Sequence, residues 1–583
     1  SAVVAGHESE GVAFAKLARL DPLASAILRC ERLEGEYAPA NNVPRWGGGR
    51  DVIERIIGLC ASAADAHADG ISAHEGLGLG SGWCDVPFGA DAPAAVDPAV
   101  GSVAGGGQAE YATETAAEYT TETAVCSVTG EPVLRTIAHA KASGDWAGPG
   151  GWREAHRKDY VRCFTEFGCM RVVPMSDYFA ARRQLGAMVE MLYIVTVWKQ
   201  KRTAANIPTR RAVRFTVAHL NDGSPMANTF AANVDAQSVR LLAQLAVAIT
   251  GAKQRFRDVP GAYYRGTPVP VSEGGRKIYC RVPPGWDELY DIPPNSVIEV
   301  VGNMPGLREA GATWAREYSK FMRALGMTQS VADRRIYFKT DASGVLIVGV
   351  HVDDNFQVSN SSSLASQFDA AWTKAYGTAD EDDTTFCGTL YTNLPDGSRQ
   401  LSMDSSIDDL GVILQQHPQL PGRQCASPMD DKALSFLYLE PTDDNPEAGV
   451  KKHGTARVIV GVGGWICSHT RPDGYLAFIA LSRALGGAFS LFAWNAVLRW
   501  AWYLVRSKEY RLTYRTPAAG QRLSAWVDSS SGNAGPGESF GGVVTGWPGS
   551  GLIGWSSFVP KNLTDSSWGA ELVLASTCLK GIL

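Results

Sequence analysis

The chain lacks the marks of a secreted or membrane-embedded protein. Its 11 cysteines are scattered as singles with no C-x-x-C pair, so neighbouring thiols nominate neither a zinc site nor a redox centre. A reducing, intracellular compartment is the expectation, in a cytoplasmic particle or the nucleus. No N-terminal signal pattern is present, and no uncharged apolar run reaches the roughly 18–20 residues of a membrane span. The longest, Ala484–Leu498, sits between Arg483 and Arg499 and is expected to be a buried helix. An overall positive charge is also missing: the net charge is −6. That balance argues weakly against nucleic acid, but a groove needs positive potential only locally. Residues 151–260 carry 17 Lys plus Arg against 8 Asp plus Glu, a local basic excess of the kind a nucleic-acid partner requires.

At 583 residues the chain is too long for a single core, and about three or four domains are expected. It begins at Ser1 rather than Met, which suggests a piece of a longer polypeptide. Residues 1–137 are rich in Ala, Gly and acids and contain a duplicated octapeptide, 109–116 and 117–124. Too little apolar surface is available there to offset chain entropy, so a disordered leader is expected, with a short helix at most over Asp51–Ala66. The texture changes at Trp152. A helix is predicted from Trp152, strands over Met170–Pro174, Leu192–Trp198 and Arg211–Ala218, a basic turn over Lys199–Arg202, and a helix over Ser238–Ile249. Gly344–Ser359 reads as a hairpin with acids at its turn. After a loop-rich stretch a helical block covers Ala477–Val505, and Leu523–Ser557 is strand-rich.

Asp258 follows the β-prone stretch ending Phe256-Arg257, and Asp353-Asp354 follow Val350-His351-Val352. Each should stand at the end or tip of a strand. Carboxylates so placed can converge on two divalent cations that activate a hydroxyl and hold a triphosphate for in-line displacement. Nucleic-acid polymerisation is the chemistry they suggest.

The order of motifs resembles the reverse transcriptase and RNase H region of copia-type long-terminal-repeat (LTR) retrotransposon polyproteins. The resembling blocks are Trp198–Arg202, Asn228–Val234, Asp258–Tyr263 with Gly266, Ile278–Trp286, Pro305–Trp314, Val352–Asp354, Thr470–Asp473 and Leu481–Arg483. The resemblance implies an α+β, right-hand polymerase: a leader over 1–137, fingers and palm over 138–420, thumb and connection over 421–517, and part of an RNase H-like domain over 518–583. It further implies that Asp258, Asp353 and Asp354 hold two Mg2+ ions, with Mn2+ as an alternative. Tyr263 would lie under the sugar and reject a 2′-hydroxyl. Arg214, with Lys201 or Arg202, would contact the triphosphate, and Gly306 would let backbone approach the template-paired nucleotide. The implied partners are an RNA template, a DNA primer or template, and dNTPs, with no membrane partner.

Asp528 and Glu571 match two metal carboxylates of the RNase H pattern, but the sequence stops twelve residues after Glu571. No RNase H activity is expected of this piece alone. His351, Glu309, Gly311 and Pro305 depart from the family's tyrosine, glutamine, proline and tyrosine. They are expected to reduce copying, and they admit an alternative: a degenerate or domesticated element that binds nucleic acid without catalysis.

Overall fold

The computed structural model describes residues 134–202, 208–218, 229, 231–377, 381–382, 384–415, 417, 427–429, 437, 446–486, 489–530 and 538–559. The duplicated octapeptide, the Asp51–Ala66 segment and Glu571 lie outside them. Mixed α and β structure is the architecture, with four sheets among the described residues.

The first sheet has the order β1-β6-β5-β2-β3: β1 (Met170–Pro174), β2 (Val189–Arg202), β3 (Pro208–Ala218), β5 (Lys277–Arg281) and β6 (Ser296–Val300). Strands β2 and β3 form a long antiparallel pair. On β3, Val213, Phe215 and Val217 are buried while Arg214 between them is exposed, the period-2 pattern of a half-buried strand. Helix α1 (Ile137–Ala142), helix α2 (Trp152–Val161), helix α3 (Met175–Leu185) and β1 precede that pair. Asp159 staples α2 to β3, its carboxylate accepting from the Phe215 N–H at 2.6 Å and from Arg162 at 3.0 Å. His156 of α2 is fully buried among Trp198, Phe215 and Trp286. Burial pushes its pKa down to about 4, which makes it a neutral core residue.

The second sheet, β11-β4-β10-β9-β8-β7, carries the acids. It comprises β4 (Lys253–Asp258), β7 (Thr328–Gln329), β8 (Ile336–Asp341), β9 (Gly344–His351), β10 (Asp354–Ser359) and β11 (Glu381–Asp382). Helix α4 (Ala236–Ala248) contributes Val239, Leu242, Ala243, Leu245 and Ala246 to the core on one side. Helix α5 (Trp286–Tyr290) belongs with the first sheet. Helices α6 (Ala310–Ala324) and α7 (Ser362–Tyr376) cover the second sheet's other side through Trp314, Tyr318, Met322, Phe368 and Trp372. Covered on both sides, β9 has Val345 to Val350 buried without interruption, as a doubly covered strand should. Asp369 of α7 pins β4 through Arg257 at 2.7 Å and Arg255 at 2.9 Å.

A third sheet joins β12 (Thr385–Phe386), β13 (Thr389–Asn393), β14 (Arg399–Ser402) and β15 (Leu512–Tyr514). Four helices, α8 (Asp404–Gln415), α9 (Pro446–His469), α10 (Tyr475–Leu485) and α11 (Leu491–Arg506), build a separate apolar core. Arg471, matched in sequence to the connection segment, is buried; it pairs with Asp473 at 2.7 Å and donates to the Ser507 carbonyl at 2.9 Å. The last sheet is the antiparallel meander β16 (Ser524–Ser529), β17 (Gly541–Trp547) and β18 (Gly551–Phe558). Strand β18 packs on α4. The buried Arg240 of α4 donates to the Ile553 carbonyl at 2.7 Å, donates to the Ser468 carbonyl, and lies 3.7 Å over the Trp555 ring. No helix among the described residues is long and apolar enough to cross a membrane.

Three expectations need correction. Lys199–Arg202 is not a turn: β2 continues through it, with an irregularity in the pairing between Gln200 and Arg202. Ala484–Leu498 is not one helix, because α10 ends at Leu485 and α11 begins at Leu491. Gly486 follows the first, and the Ser490 hydroxyl caps the second by accepting from the Ala493 N–H, the residue types that stop and start helices. The stretch read as loop-rich contains α9, with Gly454, Gly461, Gly463 and Gly464 inside it. Glycine weakens an isolated helix. Here Gly463 and Gly464 lie against the Trp500 and Phe478 rings, which leave no room for a β-carbon.

Candidate active site

Strand β4 ends at Asp258 and β10 begins at Asp354, directly opposite it in the antiparallel register. On the other side of β10, His351 closes β9 opposite the same Asp354. Two residues, Val352 and Asp353, make the reversal. Val352 has φ +54°, a conformation a β-branched residue adopts only under constraint. The constraint is visible: the Val352 carbonyl accepts from the Trp314 indole at 2.6 Å. The Asp353 carbonyl accepts from the Val259 N–H at 2.9 Å and the Asn355 amide at 3.0 Å. The turn therefore presents Asp353 beside the end of β4, where Asp353 and Asp258 line one cavity.

Burial raises the Asp353 pKa, while Arg214 and Lys201 act in the opposite sense. Asp354 is pushed up to about 7, first by burial and then by the charges of Asp353 and Asp258. These carboxyls repel one another in a partly desolvated place, as expected of a site built for added positive charge.

A cavity of about 360 Å³ opens over the acids. It is lined by Asp258, Asp353 and Asp354, by Lys201, Arg210 and Arg214 from β2 and β3, and by Tyr263 and Pro305. Burial and the neighbouring cations lower the Lys201 pKa, with Asp258 opposing. Tyr263 lies on the single 3-10 turn Ala262–Arg265 directly after Asp258, and its carbonyl accepts from Asn303 at 2.7 Å.

The structure thus brings together Asp258, Asp353, Asp354, Tyr263, Arg214 and Lys201. Arg210 was missed, although its spacing of four from Arg214 on a strand puts both on one face. The Arg202 side chain lies outside the described residues. Gly306 has φ +91°, and a β-carbon there would collide with the Val217 carbonyl, so the close approach of strand β3 by itself calls for glycine at this position. Glu309 stands at the start of α6 and is not among the described lining residues. Asp528 is exposed on β16, opposite Gly542.

Residues 195–388 match the family described as reverse transcriptase (RNA-dependent DNA polymerase). The transposon Ty5-1 protein YCL074W of Saccharomyces cerevisiae is 26% identical over 103 residues, 18% of this chain and 33% of that protein. The retrovirus-related Pol polyprotein from transposon RE2 of Arabidopsis thaliana is 23% identical over 353 residues, 60% of this chain and 22% of that one. The chain therefore spans no more than a third of the length of these relatives. Foamy viral protease-reverse transcriptase in complex with RNA/DNA hybrid aligns with a TM-score of 0.37 at 11% identity, over 64% of this chain and 41% of that one. Its dRH form in complex with double-stranded DNA aligns at 0.36 and 11%, over 64% and 54%. The acids, the cations and Tyr263 all fall inside the matched segment. Residues 195–388 are thus similar to reverse transcriptases, and the curated relatives that share similarity with the chain are transposon proteins.

Proposed function

We propose that this chain is an RNA-directed DNA polymerase that extends a primer 3′-hydroxyl with dNTPs by phosphoryl transfer. The observation that carries the reading is that Asp258, Asp353 and Asp354 line one cavity together with Lys201, Arg210 and Arg214. Hard carboxylate oxygens suit Mg2+, with Mn2+ as an alternative, and the mutual repulsion at Asp354 fits a site that accepts cations. Asp258 and Asp353 would hold two such ions, with Asp354 beside them. When bound, the ions supply positive charge that lowers the pKa of the attacking hydroxyl and steadies the leaving pyrophosphate.

The chain's own side chains supply the rest. Arg210 and Arg214 offer planar donor forks to the triphosphate oxygens, and Lys201 adds a point charge. Tyr263 presents its ring at the cavity edge beside Asp258, where it bears on the sugar and disfavours a 2′-hydroxyl. An RNA template and DNA primer would follow the basic β2–β3 face. Asp528 takes no part in this reading.

The test is primer extension on an RNA template with Mg2+. The wild-type chain is expected to extend, and Asp353→Asn to lose about two to three orders of magnitude, the scale seen when transition-state charge stabilisation is removed. A wild type that extends no better than Asp353→Asn, yet still binds template, refutes the polymerase reading in favour of binding without catalysis.

A further inference from the structure

One departure from the family pattern meets a lone cysteine in space. His351 occupies the place of the motif's tyrosine, and Cys387 follows Phe386 at the end of β12. A His351 ring nitrogen, an Asp354 carboxylate oxygen and the Cys387 sulfur all lie within 4.8 Å of one another, and all three residues are half-buried. The Cys387 sulfur is 3.8 Å from Asp354 Oδ2.

The frame around these donors is rigid. His351 and Asp354 are register partners on β9 and β10. Phe386, next to Cys387, packs on Phe356 of β10 and Phe256 of β4 with ring centroids 5.4 Å apart in each case. Cys387 has φ +47°, unfavourable for a non-glycine residue, so the turn holds the thiol in place at a backbone cost. The acid pair Asp258 and Asp353 offers only oxygen; this cluster offers one nitrogen, one sulfur and one oxygen. Imidazole and thiolate select a borderline-soft cation over Mg2+.

From this juxtaposition we infer that His351, Asp354 and Cys387 form a second metal site, specific for a thiophilic divalent cation such as Zn2+. Tetrahedral zinc with these donors needs donor–donor separations of about 3.3–3.8 Å, which side-chain rotations of about an ångström supply. On binding, Cys387 releases its thiol proton to solvent and donates a sulfur lone pair to the ion. Neutral His351 donates a ring-nitrogen lone pair, and Asp354 binds as the anion. The ion's two positive charges are balanced by one thiolate and one carboxylate, and a fourth position stays open to water. The site takes Asp354 away from Asp258 and Asp353, so zinc inhibits copying. That consequence rests on the polymerase reading; the binding does not.

The test adds Co2+, as a spectroscopic stand-in for zinc, to the reduced, metal-free full chain. A thiolate-to-cobalt charge-transfer band in the near ultraviolet should saturate at a single equivalent and bleach when Zn2+ is added. Cys387→Ser should abolish the band and weaken binding at least about tenfold, since even outer partners of a metal ligand are worth about 10–100-fold. Asp353→Asn should leave the band intact. Should Cys387→Ser fail to fold by circular dichroism, His351→Phe replaces it and must weaken cobalt binding at least as much. Absence of the band in the wild type, or its survival in Cys387→Ser, overturns the site. In extension assays the inhibitory zinc concentration should rise about tenfold in Cys387→Ser, and an unchanged value overturns the inhibitory role. A wild type that shows the band but never extends primer counts against the polymerase reading alone.

Discussion

Replacing Asp354 by asparagine should protect the metal-free fold while impairing copying, and pH should govern the size of the protection. The carboxyl rises from its ordinary 3.8 to about 7 in the folded chain, so the folded state holds a proton there that the unfolded state gives up. Stability from this group is fully present below about pH 4 and is lost as pH rises toward 7. At pH 8 the loss has a ceiling of about 4 kcal/mol; solvent access to the half-buried carboxyl and sharing of the charge with Asp353 bring the expectation to about 1–2 kcal/mol. Asparagine keeps the shape and carries no charge, so Asp354→Asn should be more stable than wild type by about that amount at pH 8 and nearly equal at pH 4. Hydrogen exchange of the β4 and β10 amides in chelator, corrected for intrinsic rates, reads this sheet directly. Added Mg2+ should erase or invert the advantage, because the wild type gains binding free energy that the variant largely lacks. Equal protection at pH 8 in chelator, or a gap of the same size at pH 4, would refute the electrostatic account of the three acids.

Arg214→Ala should raise the KM for dNTP about 10–100-fold with a smaller effect from Arg214→Lys, as measured by steady-state extension, because a charged fork is worth about 1.5–3 kcal/mol. Tyr263→Ala should raise ribonucleotide incorporation relative to deoxynucleotide at least about tenfold in single-nucleotide extension; unchanged discrimination would leave the ring a packing role only. Gly306→Ala should destabilise the chain by at least about 2 kcal/mol, from the left-handed backbone and the collision with Val217, and lower the denaturation midpoint with or without nucleotide.

Much of the first two sheets was legible. Alternation marked β3, the proline closed β1 at its observed end, and two β-prone runs around Asp353 gave the β9–β10 hairpin. The convergence of Asp258 with Asp353 was legible too, since strand-end acids in an antiparallel sheet have few places to go. What stayed hidden depended on tertiary contacts. Glycines disguised α9, and two of them, Gly463 and Gly464, serve to admit the Trp500 and Phe478 rings contributed by the following helices. Cys387 read as one scattered thiol, and nothing local says that it stands beside Asp354. The contact that demands glycine at 306 was hidden as well, since the Val217 carbonyl is contributed by a strand some ninety residues earlier.

Arg240 carries a consequence for how the chain can be cut. Its guanidinium draws two carbonyl oxygens and an indole face from segments more than two hundred residues downstream, so the helix behind the acids is completed only when the distal meander is in place. Shortening the protein to the matched segment alone would strip a buried cation of its acceptors, a loss of several kcal/mol. A minimal polymerase excised at residue 388 should therefore be insoluble or loosened at its core, and restoring the polypeptide through Phe558 should mend it.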